Sequence, residues 1–231
     1  MFDAKKLLDQ FMGAAETYAG KENVDKVKAA IAANPGMAKA AGIGLAAVLM
    51  GTKSGRKLGG SAVKLGGLAV VGGLAYQAYQ NWQRKQGIEA GTQPAELSPP
   101  PSDSVFSTAG GTEQDRAKAF LVAMIAAAKA DGHIDMEEQK RIHGRMDGLV
   151  DAEAKAFLMD EMMAPSDLDR VASMANSPEM AMEIYAASCL AIDLDHAEER
   201  AWLDNLAARL GLDPALTEEI EQSVTRDRAT A

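Results

Sequence analysis

Thiol chemistry is the first thing this chain lacks. Its 231 residues hold one cysteine, Cys189, so neither an intrachain disulfide nor a thiolate zinc cluster can be assembled. Cys189 lies in the apolar run "YAASCLAI", where a buried structural thiol is expected. Aromatic residues are only 5% of the chain and β-branched runs are scarce. With Ala, Leu and Met abundant, that balance disfavours strands and predicts helices. His-Glu-x-x-His, P-loop and Gly-x-Ser-x-Gly patterns are all missing. Gly42-x-Gly44-x-x-Ala47 matches a dinucleotide fingerprint in letters only, since no strand precedes it and no βαβ unit surrounds it. The opening "MFDAKKLLDQFMG" mixes acids with lysines and has no apolar core of signal-peptide length, so secretion through a cleaved signal is not expected.

Charge is present but unevenly placed. The formal net charge is −9, yet residues 1–90 carry twelve Lys/Arg against six Asp/Glu, net +6. Residues 91–231 carry twelve against twenty-seven, net −15. A basic front and an acidic back imply two regions with different surroundings. Phosphates would repel the acidic part, so nucleic acid is not an expected partner.

Four regions follow along the chain. In residues 1–36, Leu7, Leu8, Phe11, Met12, Ala15 and Tyr18 recur at helical spacing, continued by Val24, Val27 and Ile31. They predict helix over 2–32, ended by "NPG" at 34–36. Such a helix either packs on a neighbour or anchors at a membrane interface through its flanking lysines. Residues 37–86 are glycine-rich and nearly free of acids, with overlapping GxxxG steps at Gly51, Gly55 and Gly59. Leu65–Trp82 is an uncharged run of 18 residues, near the lower limit for a span. Four glycines, Gln77, Gln80 and Asn81 dilute it, while Tyr76, Tyr79, Trp82, Arg84 and Lys85 cluster at its end like an interface belt. A hairpin with 40–51 inserted and Lys53, Arg56 and Lys57 at its turn is the other arrangement. Membrane association through 37–86 is expected, against a loosely ordered segment of a soluble protein.

Residues 87–114, with three consecutive prolines, several Ser/Thr and a Gly pair, read as a disordered linker. Residues 115–228 read as an all-α bundle of six or seven short helices. Its apolar positions run through Phe120, Met124, Ala127 and Ala128, then Ile142, Met146 and Leu149, then Phe157, Leu158, Met162, Leu168, Val171 and Met174. Ser166 with Asp169, Ser177 with Pro178, and Asp213 with Pro214 mark helix starts, and Gly211 marks a stop.

A shift of 60 residues superposes "KADGHIDMEEQKRI" (129–142) on the region of "IDLDHAEERAWL" (192–203). Asp135 meets Asp195, Glu138 meets Glu198, Ile142 meets Trp202, and upstream Met124, Ala126 and Ala127 meet Ile184, Ala186 and Ala187. This is a duplicated helix, acidic turn, helix unit. Capping accounts for Gly132, Asp135, Glu138, Asp195 and Glu198. It leaves over Asp131 and Asp193 and a His in each turn, His133 and His196. Several carboxylates with imidazole nitrogen suit a divalent cation such as Ca, Mn or Zn. EF-hand spacing fails in both turns, because Met136 or Glu198 would take the glycine position. Catalysis by converging carboxylates Asp131, Asp135, Asp193 and Asp195 is the third possibility.

"AMIAAAKADGHIDMEEQKRI" and "SCLAIDLDHAEERAWLDNLAARLGL" resemble the paired acidic turns of the TerB-like tellurite-resistance domain. With the N-terminal helix, glycine-rich segment and proline linker, the whole chain resembles the YebE-like bacterial family of unknown function. That resemblance implies an inner-membrane protein with its acidic domain on the cytoplasmic side, cation binding and a link to envelope or metal stress. It makes Asp131, Asp135, Glu138, Asp193, Asp195 and Glu198 the implied ligands, joined by His133 and His196 from the residue pattern. The second turn has Asp193-Leu194 where the first has Asp131-Gly132, a departure from symmetry. The expectation is therefore a membrane-associated, non-enzymatic protein, with no catalytic residues, that engages a protein partner or itself. The alternative is a soluble helical scaffold without a metal site.

Overall fold

The computed structural model describes residues 2–12, 65–88, 97–108, 111–130, 151–192 and 197–230. Every regular element among them is a helix. In chain order these are α1 (Ala4–Phe11), α2 (Gly67–Lys85), α3 (Val105–Thr108), α4 (Glu113–Ala128), α5 (Ala152–Met163), α6 (Leu168–Ser173), α7 (Pro178–Ala191), α8 (Ala197–Leu210) and α9 (Pro214–Thr230).

The two repeats meet at the centre. α4 and α7 are the related first helices of the duplicated units, and they pack directly on each other. Met124 and its counterpart Ile184 are fully buried, as are Ala127 and Ala187. α7 is buried at every residue from Met180 to Ala191, the signature of a helix surrounded on all sides. α8 is the second helix of the second unit. The corresponding stretch of the first, with Ile142, Met146 and Leu149, lies outside the described residues.

The uncharged run Leu65–Trp82, near the lower limit for a span, falls in a core helix. Val70, Val71, Leu74, Ala75 and Ala78 of α2 are buried against α9, α7, α4 and α1. Among the described residues no helix is long and apolar enough to cross a membrane. The glycines that made Leu65–Trp82 a mediocre span let other backbone and side chains approach instead. A Cβ on Gly67 would lie 2.8 Å from Leu8 Cγ, and one on Gly73 would lie 2.5 Å from Ser98 O. The rings of the aromatic belt likewise pack internally. Tyr76 and Tyr79 each place their ring 5.7 Å from that of Phe106, and Tyr79 stacks on Trp82 at 5.9 Å. Lys85 pairs with Glu219 of α9.

Of the two expectations for the N-terminal helix, packing on a neighbour holds over residues 4–12. Leu7, Leu8 and Met12 are buried in the common core. Gln114 of α4 accepts from Ala4 N at 2.8 Å, and Asp9 accepts from Gly67 N at 2.7 Å. α1 thus supplies the start of α2 with the cap that Gly66, at φ +80°, cannot provide itself. The glycines of the GxxxG steps, and residues 13–64 generally, lie outside the described residues.

The linker also differs from expectation over 97–108. Phe106 is 0% exposed, Leu97 packs against the core, and Pro100 sits over Gly72. A proline-rich composition argued for disorder, but two apolar residues and a glycine groove suffice to seat this strap. Residues 2–12, 65–88 and 97–108 therefore share one core with the rest of the described chain.

Local signals mostly hold. Ser177 accepts from Met180 N at 3.1 Å with Pro178 behind it. Asp213 accepts from Ala215 N at 2.7 Å, and Gly211 takes φ +67° after α8. Ser166 does not cap α6; Asp167 does, accepting from Asp169 N and Arg170 N. A carboxylate at that position complements the helix dipole better than a hydroxyl one residue earlier. Cys189 is buried, as its apolar surroundings required.

Candidate functional site

The proposed ligands fall at two breaks in the described chain. Asp131, His133, Asp135 and Glu138, after α4, lie outside the described residues, as do Asp193, Asp195 and His196 between α7 and α8. Glu198 stands exposed in the first turn of α8. Among the described residues no group of three His, Cys, Asp or Glu is arranged to hold a metal ion. The described structure does show how the chain is held on either side of both turns.

α4 runs into the first turn through Lys129, a buried lysine. Its ammonium donates to Glu161 O at 3.1 Å and to Ala164 O, at the carbonyl end of α5 where cations are favoured. Burial pulls the Lys129 pKa down, opposed by Glu161. Ser166 Oγ donates to Ala126 O at 3.1 Å and accepts from Trp202 Nε1 at 3.2 Å. Trp202 is four residues beyond Glu198 on α8, about 6 Å along the axis. A single hydroxyl thus ties the helix leading into the first turn to the helix leaving the second.

α8 is also locked to α7 and α9. Arg200 donates through both terminal nitrogens to Glu221 at 2.8 Å, and through Nε to Asp204 at 3.0 Å. Tyr185 of α7 donates to the same Glu221 at 2.7 Å. Burial alone would raise the Glu221 carboxyl, but the bonds from Arg200 and Tyr185 hold it below its ordinary range. Burial pushes the Tyr185 phenol up, so it stays a donor.

Among the described residues the most deeply buried charged side chain is Glu183 of α7, and it pairs with Arg116 of α4. Glu183 is 0% exposed and accepts from both Nε, at 3.3 Å, and a terminal nitrogen of Arg116. The guanidinium carbon also lies 6.0 Å from the Phe120 ring centroid. Burial pushes the Glu183 carboxyl up to about 7, with Arg116 opposing and Glu179 adding to the rise. Between pH 4.5 and 7 the folded chain therefore keeps a proton that the unfolded chain has released. Stability from this group falls as pH rises through that window and levels above it. In thermal melts from pH 5 to 8, Glu183→Gln is expected to gain on the parent as pH rises, on the order of 3 kcal/mol in total. A pH-independent difference between the two would refute the assignment.

The sequence pattern did not single out this pair, although half of it had a signal. Glu183 is a lone acid within "MAMEIYAASCLAI", and an acid in a helix apolar all round must be buried and paired. Nothing local names its partner, 67 positions away. Lys129, Tyr185, Arg200 and Glu221 were missed for the same reason.

These features define a protein whose described elements are all helical, built on two related core helices, α4 and α7, joined by a buried ion pair and each followed in sequence by an acidic stretch. The chain belongs to the family described as "Protein of unknown function (DUF533)", which matches residues 35–224. It is also similar to the "Uncharacterized protein in ampR 5'region" of Yersinia enterocolitica, 29% identical over 110 residues. That stretch covers 47% of this chain and 79% of the relative. No solved structure matches.

Proposed function

We propose that the chain is a non-enzymatic helical adaptor whose two acidic turns bind one divalent cation and thereby adjust contact with a protein partner. The Ser166 bridge carries this reading, because it holds the helices flanking the two turns at one place. Carboxylates and imidazoles from both turns then have a short distance to close. Capping leaves Asp131, His133, Asp193 and His196 available for that purpose, and the TerB-like and YebE-like resemblance points to the same chemistry. Inner-membrane contact, in this reading, belongs to residues 37–64, where Lys53, Arg56 and Lys57 would face anionic headgroups. α2 is committed to the core.

Calcium, manganese and zinc titrated separately into the full chain test the site. One of them at 100 times its Kd is expected to stabilise the fold by about 2.7 kcal/mol, and Asp131→Asn with Asp135→Asn is expected to remove the gain. The second reading is a helical scaffold whose turns are only caps. The habit of this chain favours it, since Thr112, Asp151, Asp167 and Ser177 all cap helices with side-chain oxygens. A melting temperature that stays put, or moves equally in the double variant, would leave that scaffold standing.

A further inference from the structure

Glu183 lies beneath the strap. A Cβ on Gly72 would lie 3.2 Å from a Glu183 carboxylate oxygen and 3.3 Å from Pro100 Cγ. The acid and the proline ring thus share the space that one methyl group would fill. This cover gives the charge nothing in return, because proline has no N–H to donate and glycine has no side chain. Two charged groups act on the carboxyl: Arg116 of α4, which opposes its rise, and Glu179 one turn earlier on α7, which adds to it. Elsewhere on the elements packed against α7, Arg200 of α8 and Glu221 of α9 meet at Tyr185, and Lys85 of α2 pairs with Glu219 of α9. α6 pairs Arg170 with Glu161 and Asp169 with Arg209, and the strap's own acid, Asp103, is exposed.

The strap is fastened unevenly. At its far end Phe106 is fully buried and packs on Tyr76 and Tyr79. At its near end Leu97, Ser98 and Pro100 are only half-buried, and Pro99 is exposed. Its hydrogen bonds run from Ser104 N to Pro101 O, from Ser107 N to Ser104 O, and from Ser107 Oγ to Ser102 O and Ser104 O. Among the described residues none ties 97–101 to α2 or α7. That segment can lift without breaking a hydrogen bond while Phe106 stays seated. Ser98, Pro99 and Pro100 each precede a proline, which keeps them extended, so the segment moves as one stiff piece.

We propose that residues 97–101 form a proton-linked latch, closed over Glu183 while its carboxyl is protonated and loosened once the proton leaves. A neutral carboxyl is held dry at little cost, whereas a carboxylate gains water as a donor when Pro100 lifts. Opening and proton release therefore favour each other. In the closed form burial lifts the carboxyl from 4.5 to about 7, and hydration in the open form returns it toward its ordinary range. Closure is strongest below pH 4.5, weakens as pH rises toward 7, and levels above. Arg116 limits the effect by pairing with the carboxylate in either form. The latch is separate from the acidic turns and does not depend on cation binding there.

The full-length chain carrying Leu97→Cys tests the latch. Its thiol is labelled with a neutral thiosulfonate from pH 5 to 8, beside a peptide copying residues 97–108 with the same substitution. The peptide corrects for thiol ionisation, and Cys189 is buried and does not compete. The corrected rate is expected to rise on the order of tenfold or more between pH 5 and 8. Adding Glu183→Gln, which keeps the shape and stays neutral at every pH, is expected to hold the low rate throughout. Reciprocally, Pro100→Gly in the parent is expected to lower the titration midpoint of the Glu183 carboxyl, followed by carbon-13 NMR, by about one pH unit or more. Should Glu183→Gln lose its cooperative melt, that midpoint decides alone. A corrected rate that stays flat with pH overturns the proposal. So does a rise that persists in folded Glu183→Gln, or a midpoint that Pro100→Gly leaves in place.

Discussion

Replacing Arg116 by Met is expected to destabilise the chain by about 3–5 kcal/mol at pH 8. Glu183, at 0% exposure, would lose the cation that opposes the rise of its carboxyl, so at pH 8 the folded chain must either hold a bare buried charge or take up a proton that the unfolded chain does not hold. The groups around it offer no substitute: Gly72 and Pro100 face it from α2 and the strap, and Glu179 on its own helix repels it. At pH 5 the loss is expected to be smaller, because Glu183 then takes up a proton and needs no counter-charge. The double variant Arg116→Met with Glu183→Met is expected to recover most of the loss, since a well-filled apolar pair can replace a buried ion pair at little cost. Urea unfolding of the three variants at both pH values measures all of this. A loss below about 1 kcal/mol at pH 8, or an equal loss at pH 5, would mean that the pair is more open to solvent than its burial indicates.

That pair also shows where sequence reading stops. Helical periodicity and the 60-residue shift place α4 and α7 correctly, because both signals are local or self-referential. Caps at Ser177 and Asp213 are legible for the same reason, and Ser166 fails only because Asp167 stands beside it with a charge. Hydropathy along Leu65–Trp82 is the same whether the apolar surroundings are lipid or protein. What decides between them is Leu8 against Gly67 and Ser98 against Gly73, contacts between positions that are distant in sequence. The strap was hidden by averaging, since 28 residues of linker composition submerge one Phe and one Leu. Of the eight candidate ligands only Glu198 lies in the described structure. The supports of the turns were not legible, because Lys129, Ser166 and Trp202 each act on an element far along the chain.

Leu8→Ala is expected to cost about 2–5 kcal/mol, lowering the melting temperature by roughly 2–4 °C per kcal/mol. Leu8 is 0% exposed and touches the floor of α2 at Gly67, so its removal opens a cavity between α1 and α2. An interfacial anchor would respond differently: the melt would be unchanged and only membrane partitioning would fall. Lys6→Ala, on the exposed side of α1, serves as the control and is expected to stay within about 0.5 kcal/mol. The sharper test pairs Leu8→Ala with Gly67→Ala. Alone, the new methyl at position 67 would lie 2.8 Å from Leu8 Cγ and 3.1 Å from Met12 Cγ, so it is expected to destabilise. With Leu8 shortened, the nearer of these clashes is gone and the methyl fills part of the cavity. The double variant is then expected to be less destabilised than the sum of the singles, by about 0.5–3 kcal/mol. Additive losses would mean that α1 does not rest on Gly67, and the case for a core role of the N-terminal helix would fail with it.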